Sequence, residues 1–175
     1  MSRLVPYFVG EDDAAVTILG PDHRHVQEIN FEISGDPRPL QRPRWARRWF
    51  KRIITYNPSW RMQKQFKNAA REVMFLRPSD NPVFNERTYL EVNCCFVIKR
   101  PMNHFTNAGN LRADAGRFPE NSDVDNLAKF VLDALQGILY PDDWRIVVLF
   151  AIKTYPSQND PRTNFGRTIV WAKVK

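Results

Sequence analysis

Residues 121–146, NSDVDNLAKFVLDALQGILYPDDWRI, constrain the chain more than any other stretch. Asp123 and Asp125 stand two residues apart just before an apolar helical pattern, and Asp142 and Asp143 follow just after it. Four carboxylates at the two ends of one short helix can converge on a hard cation such as Mg²⁺. Because much of the remaining chain is rich in arginine, the pattern indicates a phosphodiester as the target.

The apolar spacing predicts a helix from about Asn126 to Leu139, with Asp125 or Asn126 at its N-cap position. Its buried stripe would consist of Leu127, Val131, Ala134, Leu135 and Ile138. Asp125, Lys129 and Asp133 recur at intervals of four on a different face of the same helix. Lys129 lies one turn from Asp125, where it could stabilise developing negative charge or position an attacking water.

Three carboxylates around one point repel one another, and a divalent cation is what makes such a cluster tolerable. If the strand after the helix doubles back along it, Asp142 or Asp143 returns to Asp123 and Asp125. Mg²⁺ at that point, or Mn²⁺ in its place, would polarise a phosphoryl group and activate a water. Taken singly, these residues are ordinary caps and turn residues. Their combination with Lys129 favours a metal site.

A basic arm occupies residues 35–52, GDPRPLQRPRWARRWFKR, with seven basic side chains and one acidic one. Its three prolines exclude a helix through the first half and predict an extended or looping segment. The candidate phosphate-binding residues are Arg38, Arg42, Arg44, Arg47, Arg48, Lys51 and Arg52. The aromatic residues Trp45, Trp49 and Phe50 could stack on unpaired bases, and could equally be core or dimer contacts.

The rest of the chain predicts an α+β domain with two helices packed on a mixed β-sheet, in the order β-α-β-α-β-β. Alternating or β-branched runs indicate strands at residues 28–33, 87–99, 145–155 and 165–174. Asn57 followed by Pro58 predicts the start of the first helix, and Pro78 its end. Residues 100–120 read as a long loop. Residues 1–27 then form an N-terminal extension, and residues 28–175 the domain.

The composition narrows the classes of function. The 175 residues favour one domain, and a net charge of +7 with a pI of about 9.7 suits a nucleic acid or an anionic surface. No apolar window is long enough to span a membrane, and the N-terminus does not resemble a signal peptide. An intracellular location is therefore expected.

Neither the cysteines nor the histidines indicate a metal site. Cys94 and Cys95 are adjacent in a strand-like run, so their side chains should point to opposite faces. This excludes a disulfide or a zinc pair between them. His23 and His25 are two residues apart but have no suitably spaced third ligand, so solvated loop histidines are the favoured interpretation.

These motifs resemble those of RusA-type Holliday-junction resolvases and their viral relatives. The aspartate block DVDNLAKFVLDAL from Asp123, with DDWRI from Asp142, is similar to the signature of that family. The arm GDPRPLQRPRW from Gly35, with the YNP that ends at Pro58, is similar to its opening motifs. The loop RPMNHFTNAGNLR from Arg100 resembles a loop of its phage and viral branch. The similarity spans roughly residues 28–155.

The resemblance implies a homodimeric, Mg²⁺-dependent endonuclease that cuts branched DNA and has no small-molecule substrate. Carried over by position, the metal ligands are Asp123, Asp125 and Asp143, and Lys129 is the catalytic lysine. Asp142 is a neighbour without an assigned role. One departure is Ser122, where the family usually has proline or a basic residue; this removes positive charge beside the site.

Two other functions remain open from the sequence. The chain could be a non-catalytic nucleic-acid-binding accessory protein of replication or recombination that keeps the fold. It could also be a metal-dependent nuclease for flaps or single strands. The intact set Asp123, Asp125, Lys129 and Asp143 favours an enzyme over the first of these.

Overall fold

A computed structural model of the chain describes residues 26–47, 53–157 and 164–175. The strands are β1 (Glu28–Ser34), β2 (Arg44–Arg47), β3 (Ile53–Tyr56), β4 (Leu90–Val97), β5 (Ile146–Thr154) and β6 (Arg167–Val174), and the α-helices are α1 (Trp60–Val73) and α2 (Val124–Leu135). The α+β class, with two helices on a mixed sheet, is confirmed. The added feature is a short hairpin, β2–β3, inside the basic arm.

The main sheet has four strands in the order β1-β6-β4-β5. Strand β6 pairs antiparallel with both β1 and β4, whereas β4 and β5 run parallel. A parallel pair needs a crossover connection, and here the segment containing α2 supplies it. Of the described strands, β5 pairs with β4 alone, so β5 is an edge strand.

Both helices pack on one face of the main sheet, which follows from the alternation of its strands. On β1 the buried residues are Ile29, Phe31 and Ile33, separated by polar residues. Cys94 lies in the core, while Cys95 is only partly buried on the other face, as predicted for neighbours in a strand. Burial raises the pKa of the Cys94 thiol to about 12, so this thiol stays protonated and unreactive.

Helix α2 begins and ends earlier than the apolar pattern predicts. Its N-cap is Asp123 rather than Asp125 or Asn126, and its last residue is Leu135 rather than Leu139. Gly137, with a φ of 77°, turns the chain immediately afterwards, a conformation that glycine adopts without steric cost. The fully buried Tyr140 then donates a hydrogen bond of 2.9 Å from its hydroxyl to the Leu132 carbonyl.

Helix α1 begins three residues after Asn57, because Asn57 forms a turn before it. The Asn57 side-chain oxygen accepts a hydrogen bond of 2.8 Å from the backbone N–H of Ser59, which is the N-cap. The helix ends at Val73, ahead of Pro78. The predicted loop at residues 100–120 contains one short 3₁₀ turn, Met102–His104, and otherwise has no regular element.

No helix in the described parts of the chain is long and apolar enough to cross a membrane.

Candidate active site and DNA-binding arm

Asp123 and Asp125 lie at the N-terminal end of α2, and both are exposed. Asp123 is the N-cap with an extended backbone, and Asp125 lies in the first turn. The side-chain amide of Asn126 donates to a carboxylate oxygen of Asp123 at 3.4 Å. Negative charge is favoured at this end of a helix, where free N–H groups and the helix dipole present positive potential. Two acidic residues can therefore be held here at low cost.

Lys129 is exposed on α2, one turn beyond Asp125, as the sequence predicts. Asp133 follows one turn later and accepts a hydrogen bond of 3.2 Å from the side-chain amide of Gln63 on α1. Asp125, Lys129 and Asp133 therefore form an exposed row along the helix. Asp125 and Asp133 are eight residues apart, which corresponds to roughly 12 Å along the helix axis.

Asp142 and Asp143 lie at the opposite end of α2, in the turn that leads into β5. Four effects raise the pKa of the exposed Asp143 carboxyl. In order of size they are partial loss of hydration, a hydrogen bond with Asp142, repulsion from Asp142 and repulsion from Asp133. The electrostatic neighbours of Asp143 are thus the acidic residues near the C-terminal end of the helix.

The carboxylates do not converge in a single chain as the sequence pattern suggested. Strand β5 starts near the C-terminal end of α2 and runs back to its N-terminal end, where Lys153 donates a hydrogen bond to the Ser122 carbonyl. Because Asp143 precedes the strand, it stays at the far end from Asp123. Within the ranges 26–47, 53–157 and 164–175, no three His, Cys, Asp or Glu side chains lie close enough together to hold one metal ion. Metal binding by these residues stays a prediction.

The base of the basic arm is fastened beside the first pair of carboxylates. The backbone N–H of Leu40 donates to the Asn126 carbonyl at 2.9 Å, on the same helical turn as Asp125. The next N–H, that of Gln41, donates to the hydroxyl of the fully buried Ser59 at 3.0 Å. These two bonds fix where the arm leaves the domain. They place the first arginines of the arm next to the N-terminal end of α2.

Beyond this anchor the arm is exposed. Arg38, Arg42 and Arg44 are exposed, and Arg47 lies in β2. Trp45 is 75% exposed, so it is neither a core residue nor covered by the domain. In the β2–β3 register, Trp45 pairs with Thr55 and Ala46 with Ile54, and all four of these residues are exposed. The hairpin therefore presents arginine and apolar side chains to solvent.

Several sequence-predicted residues lie outside the described residues. They are Arg48, Trp49, Phe50, Lys51 and Arg52 of the arm, and His23 and His25 of the N-terminal extension. Their predicted roles rest on the sequence alone.

Near the first pair of carboxylates, the sequence singled out Ser122 only as a lost positive charge and gave no role to Lys153. Ser122 has a φ of 69°, a left-handed conformation that is uncommon for residues other than glycine. Lys153 donates to its carbonyl at 2.8 Å. The available signal was Lys153 itself, which directly follows the apolar run IVVLFAI. A charged side chain at the end of such a strand needs a partner.

The chain matches the model of a known protein family over most of its length. A family model described as Endodeoxyribonuclease RusA matches residues 34–165, which is 132 of the 175 residues. The matched segment includes the arm, α1, α2, β4, β5 and all of the acidic residues discussed above. A search of curated proteins found no match to the chain.

Proposed function

The chain belongs to the RusA family of endodeoxyribonucleases, and we propose that it is a Mg²⁺-dependent nuclease that cuts four-way junctions or related branched DNA. The observation that carries this proposal is the hydrogen bond between Leu40 and Asn126, at 2.9 Å. It joins the basic arm to the helical turn that carries Asp125. A DNA strand held by the arm would therefore pass beside the exposed carboxylates.

The donor groups fit a hard divalent cation. Asp123, Asp125 and Asp143 offer only carboxylate oxygens, which Mg²⁺ prefers, with Mn²⁺ as a substitute. Burial and the neighbouring Asp142 and Asp133 raise the pKa of the Asp143 carboxyl, and a bound cation would favour its ionised form. Mg²⁺ held there would polarise the scissile phosphoryl group and stabilise the charge that develops on it.

The exposed ammonium of Lys129 lies in the same row of side chains along α2 as Asp125. It stands one turn from Asp125, within reach of a phosphate beside that carboxylate. From this position it can stabilise negative charge on the phosphoryl oxygens, or hold a water for attack. Helix α2 thus presents a carboxylate, an ammonium group and a second carboxylate on successive turns of one exposed face.

A second copy of the chain completes the site in this proposal. In one chain Asp143 lies at the opposite end of α2 from Asp123 and Asp125. Strand β5 is an edge strand of nine residues, and its exposed apolar side chains are Val147, Leu149, Phe150 and Ile152, between 44% and 56% exposed. Such an edge is prone to pair with another strand.

Antiparallel pairing of β5 with β5 of a second copy would cover this edge and would also bring an Asp143 to Asp123 and Asp125. A two-fold axis through the middle of the strand brings the start of one β5 next to the end of the other. Asp143 of the second copy would then approach the end of β5 that contacts Ser122, beside Asp123. The homodimer would carry two such sites, as paired cuts across a four-way junction require.

The basic arm supplies the DNA contacts. Arg38, Arg42 and Arg44 are exposed and stand within four residues of Leu40, which is anchored beside Asp125, so they could neutralise phosphates on either side of the cut. Trp45 is exposed on the hairpin and has a face free to stack on an unpaired base at a branch point. Base stacking would favour branched DNA over uninterrupted duplex.

The alternative is a DNA-binding accessory protein without catalysis. The specific observation in its favour is that the described residues of one chain gather no three-carboxylate metal site. A monomeric protein with this arrangement would bind DNA through the arm and leave it intact.

The experiment that tests the proposal is cleavage of end-labelled four-way junction, flap and linear duplex by the purified protein, with Mg²⁺ or with EDTA. We expect Mg²⁺-dependent cuts in the junction and none in the linear duplex. Binding without cleavage of any substrate would support the accessory protein. Cuts in the flap alone would indicate a flap nuclease.

A further inference from the structure

Lys153 is the second-last residue of β5, and it connects this strand to Ser122, the residue before Asp123. Its ammonium donates a hydrogen bond of 2.8 Å to the Ser122 carbonyl, 31 residues earlier in the chain. Lys153 is partly buried and pairs in register with the fully buried Phe96 of β4, so it is on the side of the sheet that packs against the helices. Its aliphatic stem lies over the domain while its charged end reaches the start of α2.

The backbone that Lys153 holds is in an unfavourable conformation. Ser122 has a φ of 69°, and its Cβ disfavours this left-handed region. Only Phe75 and Asn164 share this property among the non-glycine residues in the described part of the chain. Ser122 alone of the three adjoins a candidate metal ligand. Such a conformation persists only where surrounding contacts hold it, and it occurs often at functional sites.

The peptide that Lys153 contacts leads directly to Asp123. The Ser122 carbonyl belongs to the peptide bond between Ser122 and Asp123, and Asp123 is the N-cap of α2. Fixing that carbonyl fixes the plane of the peptide and hence the direction in which the Asp123 side chain leaves the backbone. The side chain of Asp123 caps no backbone N–H of the helix, so it is not needed for the helix start.

We propose that Lys153 is a positioning residue that aims the Asp123 carboxylate at the divalent cation through the Ser122 carbonyl. This inference rests on the proposed function. In this proposal, Lys153 contacts neither the cation nor the DNA. It holds the peptide that precedes a ligand; for outer partners that hydrogen-bond a ligand directly, loss typically lowers metal affinity by roughly 10- to 100-fold, and we expect an effect near the lower end of that range here.

The test compares Lys153→Met, which removes the donor, with Lys153→Arg, which keeps one. Lys64→Met is the matched control, because Lys64 is an exposed lysine on α1 and its loss changes the net charge equally. Calorimetric titration of the DNA-free protein with Mn²⁺ measures cation affinity. Amide hydrogen exchange at residues 122–125 measures how firmly this backbone is held.

We expect Lys153→Met to lower Mn²⁺ affinity at least about tenfold and to speed exchange at residues 122–125. Lys153→Arg should recover most of the affinity, and Lys64→Met should change neither quantity. DNA affinity should fall no more in Lys153→Met than in Lys64→Met. The inference would be overturned if Lys153→Met kept the Mn²⁺ affinity of the wild-type protein and its amide exchange rates at residues 122–125. A loss of DNA affinity that exceeds the control would also overturn it, because such a loss would make Lys153 a phosphate contact.

A second variant separates positioning from stability. Glycine accepts a φ of 69° without strain, so adding Ser122→Gly to Lys153→Met should restore folding if the single variant folds poorly. Mn²⁺ affinity should stay low in the double variant, because the peptide is still not held; full recovery of affinity would overturn the inference. If the wild-type protein binds no Mn²⁺ and cuts no DNA, the proposed function fails. The exchange rates at residues 122–125 then decide separately whether Lys153 holds this backbone.

Discussion

At the residue scale, the acidic side chains of α2 and β5 fall into two groups with different surroundings. Asp123 and Asp125 benefit from the N-terminal end of a helix. Asp143 instead meets Asp142 and Asp133, and its pKa is raised by burial and by these two neighbours. The second group therefore opposes folding when it is ionised, and a cation or a basic partner would stabilise it.

This difference predicts a pH-dependent gain from Asp142→Asn. The raised pKa means that the folded state binds a proton at Asp143 more tightly than the unfolded state does. The protonated Asp143 carboxyl therefore adds to the free energy of unfolding below its ordinary pKa, near 3.8. This contribution is lost as pH rises through the raised pKa. Removing Asp142 relieves this loss, so the variant should be more stable than wild type at pH 7.

The measurement is chemical denaturation of both proteins between pH 3.5 and 7.5 in EDTA. The advantage of Asp142→Asn should shrink toward the acidic end. Glu86→Gln, an exposed carboxylate before β4, serves as the control and should show no such trend. An advantage of the same size at every pH would contradict the electrostatic explanation.

Asp125→Asn should abolish cleavage and leave DNA binding intact or improved. In the proposed site the variant would lack one ligand of the cation, which is worth several kcal/mol in the transition state, or more than about a thousandfold in rate. It also loses one negative charge near the bound phosphate, which reduces repulsion. Junction cleavage and junction affinity are measured together, with Glu86→Gln as the control. Cleavage at the wild-type rate would remove Asp125 from the site.

At the element scale, local patterns were predicted more accurately than long-range arrangement. The four strands of the main sheet and both helices follow from periodicity, because each buries one face. The bounds of α2 were shifted, because Asp123 rather than Asp125 or Asn126 occupies the N-cap position and Gly137 turns the chain soon after Leu135. The hairpin β2–β3 was missed, since short exposed strands show no alternation between buried and exposed positions.

The placement of the carboxylates depends on strand direction, which a sequence does not show. Asp143 precedes β5, so a strand that runs back along α2 leaves Asp143 behind and carries Lys153 to Ser122 instead. Pairing of β5 with β4 in parallel sets this direction. It depends on contacts between residues more than 50 positions apart in the chain, such as Cys94 with Ala151.

The arm as an element predicts a change in salt dependence. Arg44→Ala combined with Arg47→Ala should weaken binding to all DNA substrates alike. Each arginine that contacts a phosphate releases about one counterion, so the slope of log affinity against log salt should fall by about two. Arg77→Ala with Arg87→Ala is the charge-matched control, since both residues are exposed between α1 and β4. An unchanged slope would show that these two arm residues do not touch phosphates.

At the scale of the whole molecule, β5 is the element on which assembly depends. No other described strand pairs with its outer edge, and this edge together with the exposed apolar side chains predicts a symmetric homodimer. Leu149→Lys should convert that dimer to a monomer in light scattering, because it places a charge in the proposed interface. Asn30→Lys on the other edge strand, β1, is the matched control and should remain dimeric. A wild-type protein that is monomeric at micromolar concentration, with and without junction DNA, would contradict the proposed assembly.

A mixture of the variants Asp125→Asn and Asp143→Asn, refolded together, tests most directly whether two chains share each active site. If each site takes Asp125 from one chain and Asp143 from the other, every mixed dimer has one intact site and one site that lacks both carboxylates. We expect each variant alone to leave a four-way junction uncut and the mixture to make single Mg²⁺-dependent nicks. A mixture that forms mixed dimers and binds the junction but cuts no strand would contradict a shared site.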